Sequence, residues 1–85
     1  MAKHIEEYDS NGLARVYDNA HWYLIDKDSN QVTEAYSYIE EWGEGYYKAE
    51  QGAKKNILRS DGSVVLNQWY NDVFKVQHGF FIFGN

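Results

Sequence analysis

The chain has no cysteine and no proline among its 85 residues and only one methionine. It also has no apolar run approaching the ~20 residues that a membrane-crossing helix needs. Without cysteine there is neither a disulfide nor a thiolate metal cluster. Without proline nothing stiffens the loops in advance. Positive charge is scarce too, with eight Lys plus Arg against thirteen Asp plus Glu and a net charge of −5. That deficit disfavours generic binding to nucleic acid or to an anionic membrane, both of which rely on a basic surface. It suits a protein partner with a basic surface, or solubility alone. The opening Met-Ala-Lys-His-Ile-Glu-Glu lacks the apolar stretch of a signal peptide, so the expected home is the cytoplasm.

Catalytic and ligand-holding equipment is missing as well. His4, His21 and His78 are scattered and none belongs to a motif with a nucleophilic serine. No histidine pair has metal-ligand spacing. Asp28-Ser29-Asn30 opens like a calcium loop, but the glycine and glutamate that such a loop needs further on are absent. Gly43-Glu44-Gly45 would place a carboxylate where a phosphate should sit. The chain is therefore expected to be a non-enzyme with no cofactor and no metal.

What is abundant is aromatic surface: three Trp, eight Tyr and four Phe, or 18% of the chain. A domain of this size buries only about 60–65% of the surface its unfolded chain exposes. Large flat rings, each burying about 150–250 Å², are an economical way to fill such a thin core. Aromatic residues also favour strands. The expected architecture is one all-β domain, residues 1–85.

The chain repeats itself. Ile5-Glu6-Glu7-Tyr8 recurs as Ile39-Glu40-Glu41-Trp42 and as Val73-Phe74-Lys75-Val76, both at an offset of 34 (39 − 5 and 73 − 39). Gly12-Leu13-Ala14-Arg15-Val16 recurs from Gly45 and from Gly79, at 33 and then 34. Leu24 and Ile25 align with Ile57 and Leu58 at 33, and Tyr36 aligns with Tyr70 at 34. Self-similarity at this period is the mark of a repeat architecture. The reading is antiparallel hairpin repeats of about 33–34 residues, two full units plus partial ends.

Within a unit, Asp61-Gly62 between two apolar segments predicts a type I′ hairpin turn with positive φ at both central residues. Asp28-Ser29-Asn30 is expected to make a longer version of that turn. Alternation after each glycine places Ala14 and Val16, Tyr47 and Ala49, and Phe81 and Phe83 on an inward face. Arg15, Lys48 and Ile82 then point the other way. The first ten residues are compatible with a helical turn.

Ile25-Asp26, Asp61-Gly62, Val64-Val65, Tyr70-Asn71-Asp72-Val73 and Gly12-Leu13-Ala14-Arg15-Val16, drawn from different copies of the repeat, look like the successive elements of a known unit. In this pattern the chain resembles the WG-repeat (KWG-like) family of bacterial proteins. The resemblance implies a β-rich binding scaffold without intrinsic catalysis, in a bacterial setting. The aromatic-glycine pair that names the family is replaced by Trp22-Tyr23 and Lys55-Asn56, so the likeness lies in spacing and pattern. By size and charge the chain is also similar to the small anti-defence inhibitors of phages, including anti-CRISPR proteins.

The doubled acidic-aromatic motif supplies the candidate site. Glu40, Glu41, Trp42 and Glu44, with Glu6, Glu7 and Tyr8, set carboxylates beside a large ring at equivalent repeat positions. Trp and Tyr are favoured anchors of protein interfaces, and acids steer association toward basic partners. The same acids could simply keep a sheet edge soluble and unpaired. Trp22, Trp42 and Trp69 would be the stacking platforms if the ligand were a carbohydrate.

Overall fold

The computed structural model describes residues 3–77 and 80–84. They form eight strands: β1 (His4–Ile5), β2 (Ala14–Asp18), β3 (His21–Ile25), β4 (Tyr38–Gly43), β5 (Tyr46–Gln51), β6 (Lys54–Arg59), β7 (Asp72–Gln77) and β8 (Phe80–Gly84). The described residues contain no helix, and the opening segment holds β1 rather than a helical turn. Every pairing is between sequence neighbours and antiparallel, giving sheets ordered β1-β2-β3, β4-β5-β6 and β7-β8. The fold is an all-β meander.

The repeat is carried by the backbone register. Ile5 pairs with Val16, Ile39 with Ala49 and Val73 with Phe83. After its third strand each of the first two units folds back along that strand. Gln31 bridges Ile25 and Tyr36 bridges Trp22; Val64 bridges Leu58 and Tyr70 bridges Lys55. The amide of Val32 donates to Leu24 O at 2.8 Å, and that of Val65 to Ile57 O at 2.8 Å. Two units are thus complete, and β7-β8 is the opening hairpin of a third.

Loop lengths explain why the offset drifts between 34 and 33. In the first unit Ser10-Asn11-Gly12 spans the gap from Asp9 to Leu13, whose backbones are joined at 2.8 Å. In the second, Gly43 pairs with Tyr46 across only Glu44-Gly45. The lost residue is regained later, where residues 66–69 replace residues 33–35. β4 carries a bulge between Glu41 and Gly43, and β7 repeats that bulge between Lys75 and Gln77.

The type I′ turns fall elsewhere than at Asp61-Gly62. Both central residues have positive φ at Glu44-Gly45 (55° and 83°) and at Asn19-Ala20 (54° and 67°). Arg59 instead closes on Ser63 across three residues, with positive φ at Gly62 alone. Asp26 closes on Asn30 in the same way, with Ser29 at the matching position. The two turns are therefore equal in length. Asp61 favours the three-residue form because its carboxylate accepts both the Ser63 amide (2.9 Å) and the Ser63 hydroxyl (2.6 Å).

The core runs through the junction of the first two units. Leu13, Leu24 and Tyr36 of the first pack against Ile39, Tyr47, Ala49 and Leu58 of the second, with Trp22, Val32 and Trp69 at the margin. Fully burying a Leu- or Ile-sized side chain contributes about 1.5–3 kcal/mol, so this one cluster supplies much of the stability. Ala14, Val16 and Ile25 form a smaller cluster with Tyr23. Ala14, Val16, Tyr47 and Ala49 are inward as expected. Phe83 holds its expected register but is 46% exposed, as no later strand covers the third hairpin among the described residues. It packs on Tyr70 with ring centres 4.6 Å apart. The expected places of His78, Gly79 and the Phe81 side chain lie outside the described residues.

Candidate functional site: an acidic rim along the first hairpins

The acidic-aromatic segments occupy corresponding places, on β4 and on the stretch that follows β1. Glu7, Tyr8, Glu40, Glu41 and Glu44 are exposed, while Glu6 and Trp42 are half-buried. Neighbouring side chains on a strand point to opposite faces, so the paired acids are split. Glu40 lies opposite Lys48 in the register. Glu41 lies on the face of its partner Tyr47.

On the first of these faces the acids have basic company. Glu6 accepts from His4 at 2.6 Å and lies 3.9 Å from the Arg15 guanidinium. That guanidinium also donates to Ile39 O at 2.8 Å and lies 5.1 Å from the centre of the Trp22 ring. Arg15 is thereby a clasp between the first unit and the first strand of the second, using the planar fork that a lysine lacks. Lys48 lies 5.9 Å from the centre of the Trp42 ring and 3.9 Å from Glu50. Trp42 is the extra residue of the β4 bulge, which aims its ring back over β5. The Tyr8 hydroxyl donates to Asp26 O at 2.9 Å.

On the other face a junction forms that motif reading passed over. The Tyr47 hydroxyl donates to Asp9 and accepts from Asn11 Nδ2 at 3.0 Å, joining the first hairpin loop to the second sheet. Asp9 also accepts the amides of Asn11 (2.8 Å) and Leu13 (3.1 Å), shaping the loop it sits in. Burial, then the bond to Asp9 and the nearby charges of Asp9 and Glu41, push the Tyr47 hydroxyl well above its ordinary pKa. Asp9 of the first unit thus bonds a hydroxyl of the second, from the residue that pairs with Glu41 in the register. The available signal was the turn sequence Asp9-Ser10-Asn11-Gly12, but Gly43 is the repeat equivalent of Asp9, so alignment of the units hid it.

A pH dependence follows. Tyrosines in the unfolded chain ionise near pH 10, whereas Tyr47 and, through burial and then Glu34, Tyr36 resist ionisation in the fold. A folded-state pKa above the unfolded value gives stability that is present below about pH 10 and lost as pH rises further. Melting temperature should thus fall between about pH 9 and 11. Tyr47→Phe should cost about 1 kcal/mol at neutral pH and flatten that alkaline fall. Equal alkaline slopes for wild type and variant, followed by thermal melts, would rule this out.

Among the described residues no cluster of three or more His, Cys, Asp or Glu side chains could hold a metal ion, and no helix is long and apolar enough to cross a membrane. Trp22 is wedged between Tyr17 and Tyr38, at 5.1 and 5.5 Å, and Trp69 packs on Tyr36 at 5.5 Å. All three tryptophans, Trp42 included, remain half-buried. Comparison with known protein families, with curated proteins and with solved structures gave no match.

Proposed function

We propose that the chain is a non-enzymatic protein-binding domain whose acidic rim engages a basic surface of another protein. The observation that carries this reading is the run of exposed acids Glu7, Glu40, Glu41 and Glu44 along the opening strands of successive units, with Asp9 of the first unit bonded to the Tyr47 hydroxyl of the second. Exposed carboxylates raise the local negative potential and speed encounter with a cationic partner. Trp42 supplies a half-buried ring at the margin, the usual kind of interface anchor. In its finer form the proposal is a small acidic inhibitor of the phage anti-defence type, occupying the basic nucleic-acid-binding surface of its target. A second reading, an ordinary WG-like interaction module, is favoured by the identical backbone register of the units.

The test is capture of the partner from bacterial lysate, followed by binding kinetics and thermal melts. Trp42→Ala should weaken binding about thirtyfold or more, the equivalent of about 2 kcal/mol. Glu40→Lys/Glu41→Lys should mostly slow association and flatten its salt dependence. Neither should shift melting greatly, because both acids are exposed and Trp42 lies outside the central core cluster. Unchanged affinity in folded variants would mean that the acids only keep the rim soluble. Competition with nucleic acid for the partner separates the inhibitor from the ordinary module.

A further inference from the structure

Asn11-Gly12 is the only Asn-Gly pair in the chain; Asn19, Asn30, Asn56, Asn67 and Asn71 precede Ala, Gln, Ile, Gln and Asp. Asparagine before glycine is the pair most open to internal attack, because no side chain shields the next amide. The Gly12 nitrogen attacks the Asn11 Cγ, its proton passes to the departing nitrogen, and ammonia leaves as a succinimide closes. Water then opens the ring at one carbonyl or the other, leaving Asp or isoaspartate at position 11. No reagent other than water is needed.

The fold holds both reacting groups. Asn11 is exposed, yet its Nδ2 donates to the Tyr47 hydroxyl at 3.0 Å, while the Gly12 amide donates to Asp9 O at 3.0 Å. The bond to Tyr47 crosses from the first unit to the second, so the amide is tethered only while the units stay joined. Segments of this kind open locally far more often than a domain unfolds. The junction depends on the amide in turn. Tyr47 has one hydroxyl hydrogen, which it gives to Asp9, so its oxygen can be met only by a donor. A carboxylate at position 11 offers no hydrogen, and it stands across the same hydroxyl from the like charge of Asp9. Isoaspartate would also lengthen a backbone loop that Asp9 N closes on Leu13 O at 2.8 Å.

We propose that Asn11 is a site of spontaneous deamidation, timed by the Asn11–Tyr47 bond, whose product loosens the contact between the first two units. Opening of the junction frees the amide, and conversion keeps the same junction from re-forming, so the change runs one way. The Asp61-Gly62 pair has no amide to expel, and its carboxylate is occupied by the Ser63 amide and hydroxyl. The proposal does not depend on the partner-binding reading.

The test is incubation of wild type and Tyr47→Phe, each folded and in urea, at mildly alkaline pH, followed by tryptic peptide mapping. Cleavage after Lys3 and Arg15 leaves Asn11 as the sole asparagine of its peptide. That peptide should convert first in folded wild type, ahead of the one carrying Asn67 and Asn71. Folded Tyr47→Phe should convert about fivefold faster there, the worth of one hydrogen bond, with the two chains equal in urea. Asn11→Asp, which fixes the product, should melt about 4–8 °C below wild type at neutral pH through the loss of about one bond. Conversion at Asn67 or Asn71 before Asn11 in folded wild type overturns the proposal. So does a folded Tyr47→Phe chain that converts no faster than wild type, or an Asn11→Asp chain that melts with wild type. Should Tyr47→Phe not fold, wild type decides alone: slower conversion at Asn11 when folded than in urea supports the proposal, and equal rates overturn it.

Discussion

Gly62→Ala should unfold the chain or bring it close to unfolding, a larger effect than its single added methyl suggests. Gly62 has a φ of 92°, where an L side chain is strained by about 1–2 kcal/mol. The added Cβ would also stand 2.2 Å from Val32 O and 3.1 Å from Val32 C. That carbonyl belongs to the other complete unit, and its residue is held by the bond from Val32 N to Leu24 O. The obstruction is backbone against backbone, which no rotamer can relieve, and overpacking of this kind adds about 1–3 kcal/mol or more. Together these approach the whole stability of a small domain, about 5 kcal/mol at the low end. Gly45→Ala is the control, since φ is similar at 83° but nothing lies within 4 Å of the new Cβ. It should cost only the conformational strain, lowering the melting temperature by about 4–8 °C per kcal/mol. Equal losses in the two variants would show that the units do not meet at Val32 as described.

That contact also marks the limit of what could be read from the sequence. Period-two alternation and the 33–34-residue offsets located the strands, because both are properties of local backbone geometry. The inward positions Val16, Tyr47 and Ala49 came with them. Phe83 was legible in register but not in burial, since burial depends on whether another unit follows. The turn at Asp61-Gly62 was placed correctly, yet its length was set by the side chain of Asp61 and by the pairing of Arg59 with Ser63. At the rim, Glu40 and Glu41 looked like one patch in the sequence but pleating separates them. Asp9 went unnoticed because its role arises from the neighbouring unit, through Tyr47. Contacts between units are long-range, and repeat alignment by its nature shows only what the units share.

Asn56→Ala should be the most damaging substitution that creates no clash, because Asn56 is a buried polar residue that ties β6 to the returning segment at residues 66–68. Its side chain is fully buried. Its amide donates to Leu66 O at 3.1 Å and to Gln68 O at 3.4 Å, while its carbonyl accepts from Ile57 N at 2.7 Å and from Leu66 N at 3.1 Å. In the first unit Thr33 does the equivalent work, accepting from Leu24 N at 3.1 Å and donating to Glu34 O at 2.8 Å. Thr33 reaches from the returning segment to the strand, whereas Asn56 reaches from the strand to the returning segment, which is one residue longer in the second unit. Each buried group left without a partner costs about 1–3 kcal/mol. Water can reach the carbonyl of the exposed Gln68, but Ile57 is fully buried, so a loss of about 3 kcal/mol is expected for Asn56→Ala. Thr33→Val, which removes one hydroxyl, should cost about 1–2 kcal/mol. Asn56→Asp adds a diagnostic sign. A carboxylate buried there cannot donate and is desolvated, so its folded-state pKa must rise above the unfolded value of about 3.9. Protonation restores one donor, so the deficit against wild type should shrink as pH falls through that raised value. Parallel urea titrations at neutral pH and near pH 4 would measure it. A deficit that widens on acidification, or an Asn56→Ala variant as stable as wild type, would remove Asn56 from the centre of the fold.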